Sequence, residues 1–150
     1  MDKYEQITNF ITENYKPLNN WIYFIALPME DGNTSMIPVP TGMRYITEFI
    51  DGSKDVNLQF AIAMVKLFDV NTSTINLEAI KEVENFTDWF EQQDYTENYP
   101  ILGDGYKVYE MQVLDATPTI SIDNEQSLVK YQFNCSINYI EEREDKQWVK

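Results

Sequence analysis

Cys135 is the only thiol of the chain and histidine is absent, so carboxylates are the main side chains left for acid–base work. This excludes Ser-His-Asp and Cys-His schemes, the HExxH zinc site and imidazole proton transfer near neutral pH. A thiol nucleophile needs an activating base in a polar setting. Cys135 instead falls in the alternation Tyr131, Phe133, Cys135, Ile137, Tyr139, where a thiol is a packing atom. The densest carboxylate groups are Glu141–Glu142, Glu144–Asp145 and Glu82–Glu84. Such pairs can divide the roles of general acid and base, but among 25 acids and 11 bases they read as solvated surface. The loops Asp51-Gly52-Ser53-Lys54-Asp55 and Glu30-Asp31-Gly32-Asn33 offer oxygen ligands without the spacing or closing glutamate of an EF-hand. Gly103-Asp104-Gly105 lacks the further glycine and lysine of a phosphate-cradling loop. No cofactor and no metal are expected. Tyr131, Phe133 and Tyr139 could stack on a sugar or a base, yet sharing one strand face favours core packing. Trp21, Trp89 and Trp148 fall in three different elements. Interaction, rather than turnover, is the expectation.

The elements that must position these residues belong to a chain of 150 residues, 43% hydrophobic and 14% aromatic. That is enough apolar surface for one domain without disulfides, placed at residues 1–140 with a charged tail at 141–150. The formal charge is −14 and the sequence pI about 4.2, a field that repels phosphate backbones and anionic lipid. A lone cysteine fits assembly in a reducing cytosol. The polar start MDKYEQITNF and the lack of a long apolar run predict no leader and no membrane span.

Apolar positions Tyr4, Ile7, Phe10, Ile11 and Tyr15 predict a helix over 3–15 that stops before Pro17. The run Trp21 to Leu27, ended by Pro28, predicts a central strand covered on both faces. Residues 28–42 hold Pro38 and Pro40 and predict a loop with at most a short edge strand. A hairpin follows, Met43 to Ile50 and Val56 to Leu67 around 51–55. In its second arm Val56, Leu58, Phe60, Ile62 and Met64 share one face, with Asn57, Gln59 and Ala61 on the other. A second helix is predicted over 76–93, with Asn76 as N-cap, Glu78 at the positive dipole end, and a core stripe of Leu77, Ile80, Val83, Phe86 or Thr87, and Phe90. Between 76 and 97 seven acids face Lys81 alone; Glu82, Glu84, Asp88 and Glu91 mark the acidic surface. Strands are predicted at Tyr106 to Leu114, in a Pro118-interrupted piece through Ile122, and at Leu128 to Tyr139. The order fits an α+β fold, a mainly antiparallel (mixed) sheet with two helices on one face.

This organisation resembles the minor capsid, tail-completion or tail-terminator proteins of tailed phages and prophages of Gram-positive bacteria. The resemblance is carried by the N-terminal helix with the Trp21 to Leu27 strand and Pro28, by the acidic helix containing Ile80 to Phe90, and above all by Leu128-Val129-Lys130-Tyr131-Gln132-Phe133-Asn134-Cys135-Ser136-Ile137-Asn138-Tyr139. It implies a tail-terminator-like α+β fold and a non-enzymatic virion assembly role. Such proteins form a ring, commonly a hexamer, that caps the tail tube and meets the head connector. The implied partners are other copies of the chain, the tail-tube protein and head connector proteins, with no membrane and no sequence-specific nucleic acid, DNA passing through the ring. The implied location is the phage tail at the head–tail interface, with the host cytoplasm during assembly.

Ring closure uses a heterologous interface, and sheet edges supply one. The candidate contacts are Met36, Ile37 and Val39 in the 28–42 segment and Asp51, Lys54 and Asp55 at the hairpin. Acids facing the channel would let DNA slide. A small acidic binding module, a DNA-mimic-like inhibitor of a host nucleic-acid enzyme, is the alternative, kept by the acidic helix. A carboxylate-only metal hydrolase ranks third.

Overall fold

A computed structural model describes residues 3–15, 22–24, 30–68, 73–115 and 117–142. The elements are α1 (Lys3–Asn14), β1 (Ile22–Phe24), β2 (Thr34–Glu48), β3 (Lys54–Leu67), α2 (Ser73–Tyr95), β4 (Tyr106–Val113), β5 (Thr119–Asp123) and β6 (Leu128–Glu141). They build the α+β fold expected, one sheet in the order β1-β2-β3-β6-β4 with β5 also on β6. All neighbours are antiparallel except β1 and β2, so the sheet is mixed.

The period-two patterns of β3 and β6 make them the centre. They pair without a register shift from Lys54↔Glu141 to Leu67↔Leu128. With β3 along the whole of β6 on one side, β4 and β5 must share the other: β4 spans Cys135 to Glu141 and β5 spans Leu128 to Gln132. They form a single edge strand interrupted at 114–118. At the break Leu114 N–H donates to Asn134 O (2.8 Å), and Asn134 N–H donates to the Asp115 carboxylate (2.6 Å).

Both helices cover one face. Val56, Leu58, Phe60, Ile62 and Met64 of β3 and Tyr131, Phe133, Cys135, Ile137 and Tyr139 of β6 are buried with Ile7, Ile11 and Tyr15 and with Val83, Phe86 and Phe90. Phe86 is the junction: its ring lies 5.1 Å from Tyr15, 5.7 Å from Phe133 and 6.2 Å from Phe90. Rings at such spacing add attraction beyond area burial. The Lys3 ammonium, 4.5 Å over the Tyr106 ring, ties the start of α1 to β4.

Several expectations are corrected. The Trp21 to Leu27 strand is described only at Ile22–Phe24, where it is the parallel end strand of the sheet rather than a central one; its remaining residues, with Pro28, lie outside the described residues. Of the segment expected as a loop, 34–42 is strand: it runs on into the expected first hairpin arm as one 15-residue β2, paired to β3. Pro38 is tolerated because of the ladder's phase, in which Val65 N–H donates to Asn33 O (3.0 Å). Alternation then turns Pro38 away from β3, toward an edge where its missing N–H breaks no bond. The helix expected from Asn76 starts at Ser73, so Asn76 is no N-cap and Glu78 lies beyond the first turn. Leu77 leaves the stripe and is 66% exposed, with Ala79 buried instead. Opposite the helices, Ala61, expected on the polar face, is buried together with Ala63, Val65 and Ser35. β6 runs to Glu141, so the first residue expected in the tail belongs to the sheet, and just beyond it Glu142 N–H donates to Gly105 O (2.7 Å); 143–150, with Glu144, Asp145 and Trp148, lie outside the described residues.

Candidate functional site

The interaction residues read from the sequence do not form one patch. Met36 is fully buried in the core, because it faces the helices from β2, and it cannot contact a partner. Ile37 and Val39 are half-buried further along β2. β1 pairs only with Thr34 to Met36, so among the described residues β2 from Ile37 to Glu48 has no strand on its outer side. The β2–β3 hairpin is no free arm either, since β6 pairs with β3 along its length. Only its tip projects.

At that tip Asp51 is used by the turn: its carboxylate accepts from Ser53 N–H (2.9 Å) and Ser53 Oγ (2.6 Å). Gly52 stands at φ +92°, where a Cβ is strained. Lys54 faces Glu141 across the ladder. Asp55 accepts from the Tyr109 hydroxyl (2.7 Å), which ties the hairpin to β4 across β6. The apolar groups presented outward are Phe49 and Ile50, 43% and 105% exposed. The sequence signal for them was there, two apolar residues directly before a turn, but strand periodicity absorbed them.

The two ends of the sheet are treated differently. On β4 the outward groups are capped: Met111 N–H donates to the Asp94 carboxylate (2.9 Å), and the Tyr99 hydroxyl reaches both Tyr109 O (2.9 Å) and that carboxylate (3.0 Å). Side-chain caps of this kind keep an edge from templating another strand. Local pattern shows Asp94 only as one of the acids of 76–97 and Tyr99 only as a turn residue, since their roles depend on α2 ending beside β4.

Partial burial, followed by the Asp94 bond, pushes the Tyr99 hydroxyl up to about 12; partial burial and Asp55 do the same for Tyr109. A free tyrosine ionises near pH ~10. Because the folded values lie above the unfolded one, this stabilisation is complete below pH ~10 and is lost as pH rises from there to about 12. An absorbance titration of the ten tyrosines is expected to show a delayed set including Tyr99 and Tyr109, with Asp55→Asn releasing Tyr109 earlier. A single step near ~10 for all ten would contradict it.

The acidic residues of α2 divide. Glu82 pairs with Lys66 of β3 (2.8 Å), the carboxylate exposed and the lysine side chain mostly covered. Glu84, Asp88 and Glu91 are exposed along a groove of about 890 Å³ between α2 and the β4–β5 edge. Its floor is Ile80, Val83, Val113, Ile120 and Phe133, and Asp115 adds a fourth carboxylate against Lys81.

Opposite the helices runs a polar ladder, Gln59 donating to Asn57 (2.7 Å), Asn57 to Asn138, and Asn138 to Glu110 (2.6 Å). Beside it the Ser136 hydroxyl is buried without a hydrogen-bond partner among the described residues. The Cys135 thiol is fully buried, and burial, with smaller effects from Asp115 and Glu91, raises its pKa well above the ordinary value. Among the described residues no cluster of three or more acidic, cysteine or histidine side chains could hold a metal, and no helix is long and apolar enough to cross a membrane. Glu142 forms an exposed pair with Lys107 (2.7 Å).

No protein-family model matches this sequence, and no curated protein matches it.

Proposed function

We propose that the chain is a non-enzymatic phage assembly protein, a tail terminator or head–tail joining component that caps the tail tube as an oligomeric ring. The observation that carries this reading is the difference between the sheet's two ends. β4 is closed by Asp94 and Tyr99, while among the described residues β2 beyond Met36 is open on its outer side and ends in the exposed tip Phe49–Ile50. A ring joint is heterologous, each copy presenting two unlike surfaces, and an extended edge with an apolar tip is one half of such a joint. The resemblance carried by the Leu128 to Tyr139 strand supplies the tail tube and head connector as partners.

The acidic flank of α2 favours a second reading, an acidic module occupying the basic cleft of a host nucleic-acid enzyme. The two separate on one variant. Ile50→Asp puts a charge on an exposed tip where folding has little at stake. It is expected to abolish self-assembly, or assembly with tube protein, in sedimentation velocity while leaving the melting temperature within about 2 °C. Unchanged assembly of this variant would reject the tip as a ring contact, and salt-sensitive capture of a basic enzyme by a monomer would favour the acidic module.

A further inference from the structure

The unblocked half of the interrupted edge is β5. Asn134 exchanges bonds with Leu114 and Asp115, so the even positions of β6 face this edge. By alternation Thr119, Ser121 and Asp123 bond β6, and the N–H and C=O groups of Ile120 and Ile122 point outward. Among the described residues nothing pairs with them, in contrast to the capped groups of β4. Their side chains are 53% and 51% exposed, and Ile120 forms part of the groove floor beneath α2. Glu84, Asp88 and Glu91 lie at steps of four and three on the α2 flank above it, a spacing at which like charges repel.

We propose that this groove takes a basic extended segment of a partner protein, added as a strand to β5. Its backbone pairs with Ile120 and Ile122, its apolar side chains rest on Ile120, Val113 and Phe133, and its cationic side chains reach Glu84, Asp88 and Glu91. Strand addition supplies the backbone bonds and the groove selects alternate side chains. Charge chooses the occupant: four carboxylates against Lys81 oppose a second copy of a chain carrying −14. The inference does not depend on ring formation, because β5 and the hairpin tip lie at opposite ends of β6.

The test is fluorescence anisotropy with a short labelled peptide of alternating lysine and valine. The controls are the same composition in two blocks and an alternating glutamate–valine peptide. The alternating basic peptide is expected to bind, more weakly as salt rises, and to slow amide exchange at Ile120 and Ile122. The triple variant Glu84→Gln, Asp88→Asn, Glu91→Gln should lose about ten-fold in affinity. Ile122→Pro removes an outward N–H that β6 does not use, and should abolish the exchange protection with the circular dichroism spectrum retained. Equal binding of the block peptide, an unaffected triple variant, absence of protection at β5, or a stable dimer through this edge would each overturn the proposal.

Discussion

Phe86→Ala is expected to cost about 3–5 kcal/mol of unfolding free energy, the range for emptying a fully buried phenylalanine site. The side chain has no exposed area and touches Tyr15 just after α1, its own helix through Trp89 and Phe90, and β6 through Phe133. No neighbour can fill the space without leaving another contact, so collapse of the cavity is limited. A domain of this size is stable by only ~5–15 kcal/mol, and the variant should be marginal at 37 °C. Leu77→Ala on the same helix is the control: at 66% exposure it should change stability by no more than ~0.5 kcal/mol. Urea unfolding followed by tryptophan fluorescence measures both, and equal midpoints would remove Phe86 from the centre of the core.

The second large effect belongs to Asp94. Asp94→Ala strips an acceptor from Met111 N–H and from the Tyr99 hydroxyl at once. Charge-assisted bonds contribute ~1.5–3 kcal/mol each, and leaving a partly buried donor unmet adds a desolvation term. The site is half-open to solvent, so a total of about 2–3 kcal/mol is expected. Asp94→Asn keeps an acceptor oxygen and should cost less than half of that. The alanine variant should also associate with rising concentration, because the outer groups of β4 become a template for another strand. Urea midpoints and light scattering at two concentrations check both parts. An alanine variant as stable and as dispersed as the asparagine one would contradict the capping role.

The legible parts of the fold were those set by local pattern. α1 announced itself by its apolar spacing and its stop before Pro17, and β3 and β6 by strict alternation, from which the helix-facing residues follow almost one for one. Proline reads as a strand breaker over 28–42, and only tertiary placement shows that Pro38 faces an edge where no donor is required. Leu77 fits the helical period, but the buried face of α2 runs through Ala79, Val83, Phe86 and Phe90 and leaves Leu77 exposed. The place of β1 at the end of the sheet depends on long-range pairing that an apolar run does not encode. The interaction surfaces were less legible still. Asp51 and Asp55, expected as ring contacts, are both occupied by bonds of the fold, and the outward groups are Phe49 and Ile50. The groove needed α2, the break at Asp115 and β5 together, three elements separated in the chain.

Ring assembly is tested most directly by mass, using light scattering behind size-exclusion chromatography over a concentration series, with and without co-expressed tail-tube protein. A discrete ring-sized species, or a monomer that assembles only with the tube protein, is the predicted result, and it should disappear with Ile50→Asp. A strict monomer indifferent to tube protein, captured by a basic host enzyme at low salt, would contradict the ring and leave the acidic binding module in its place.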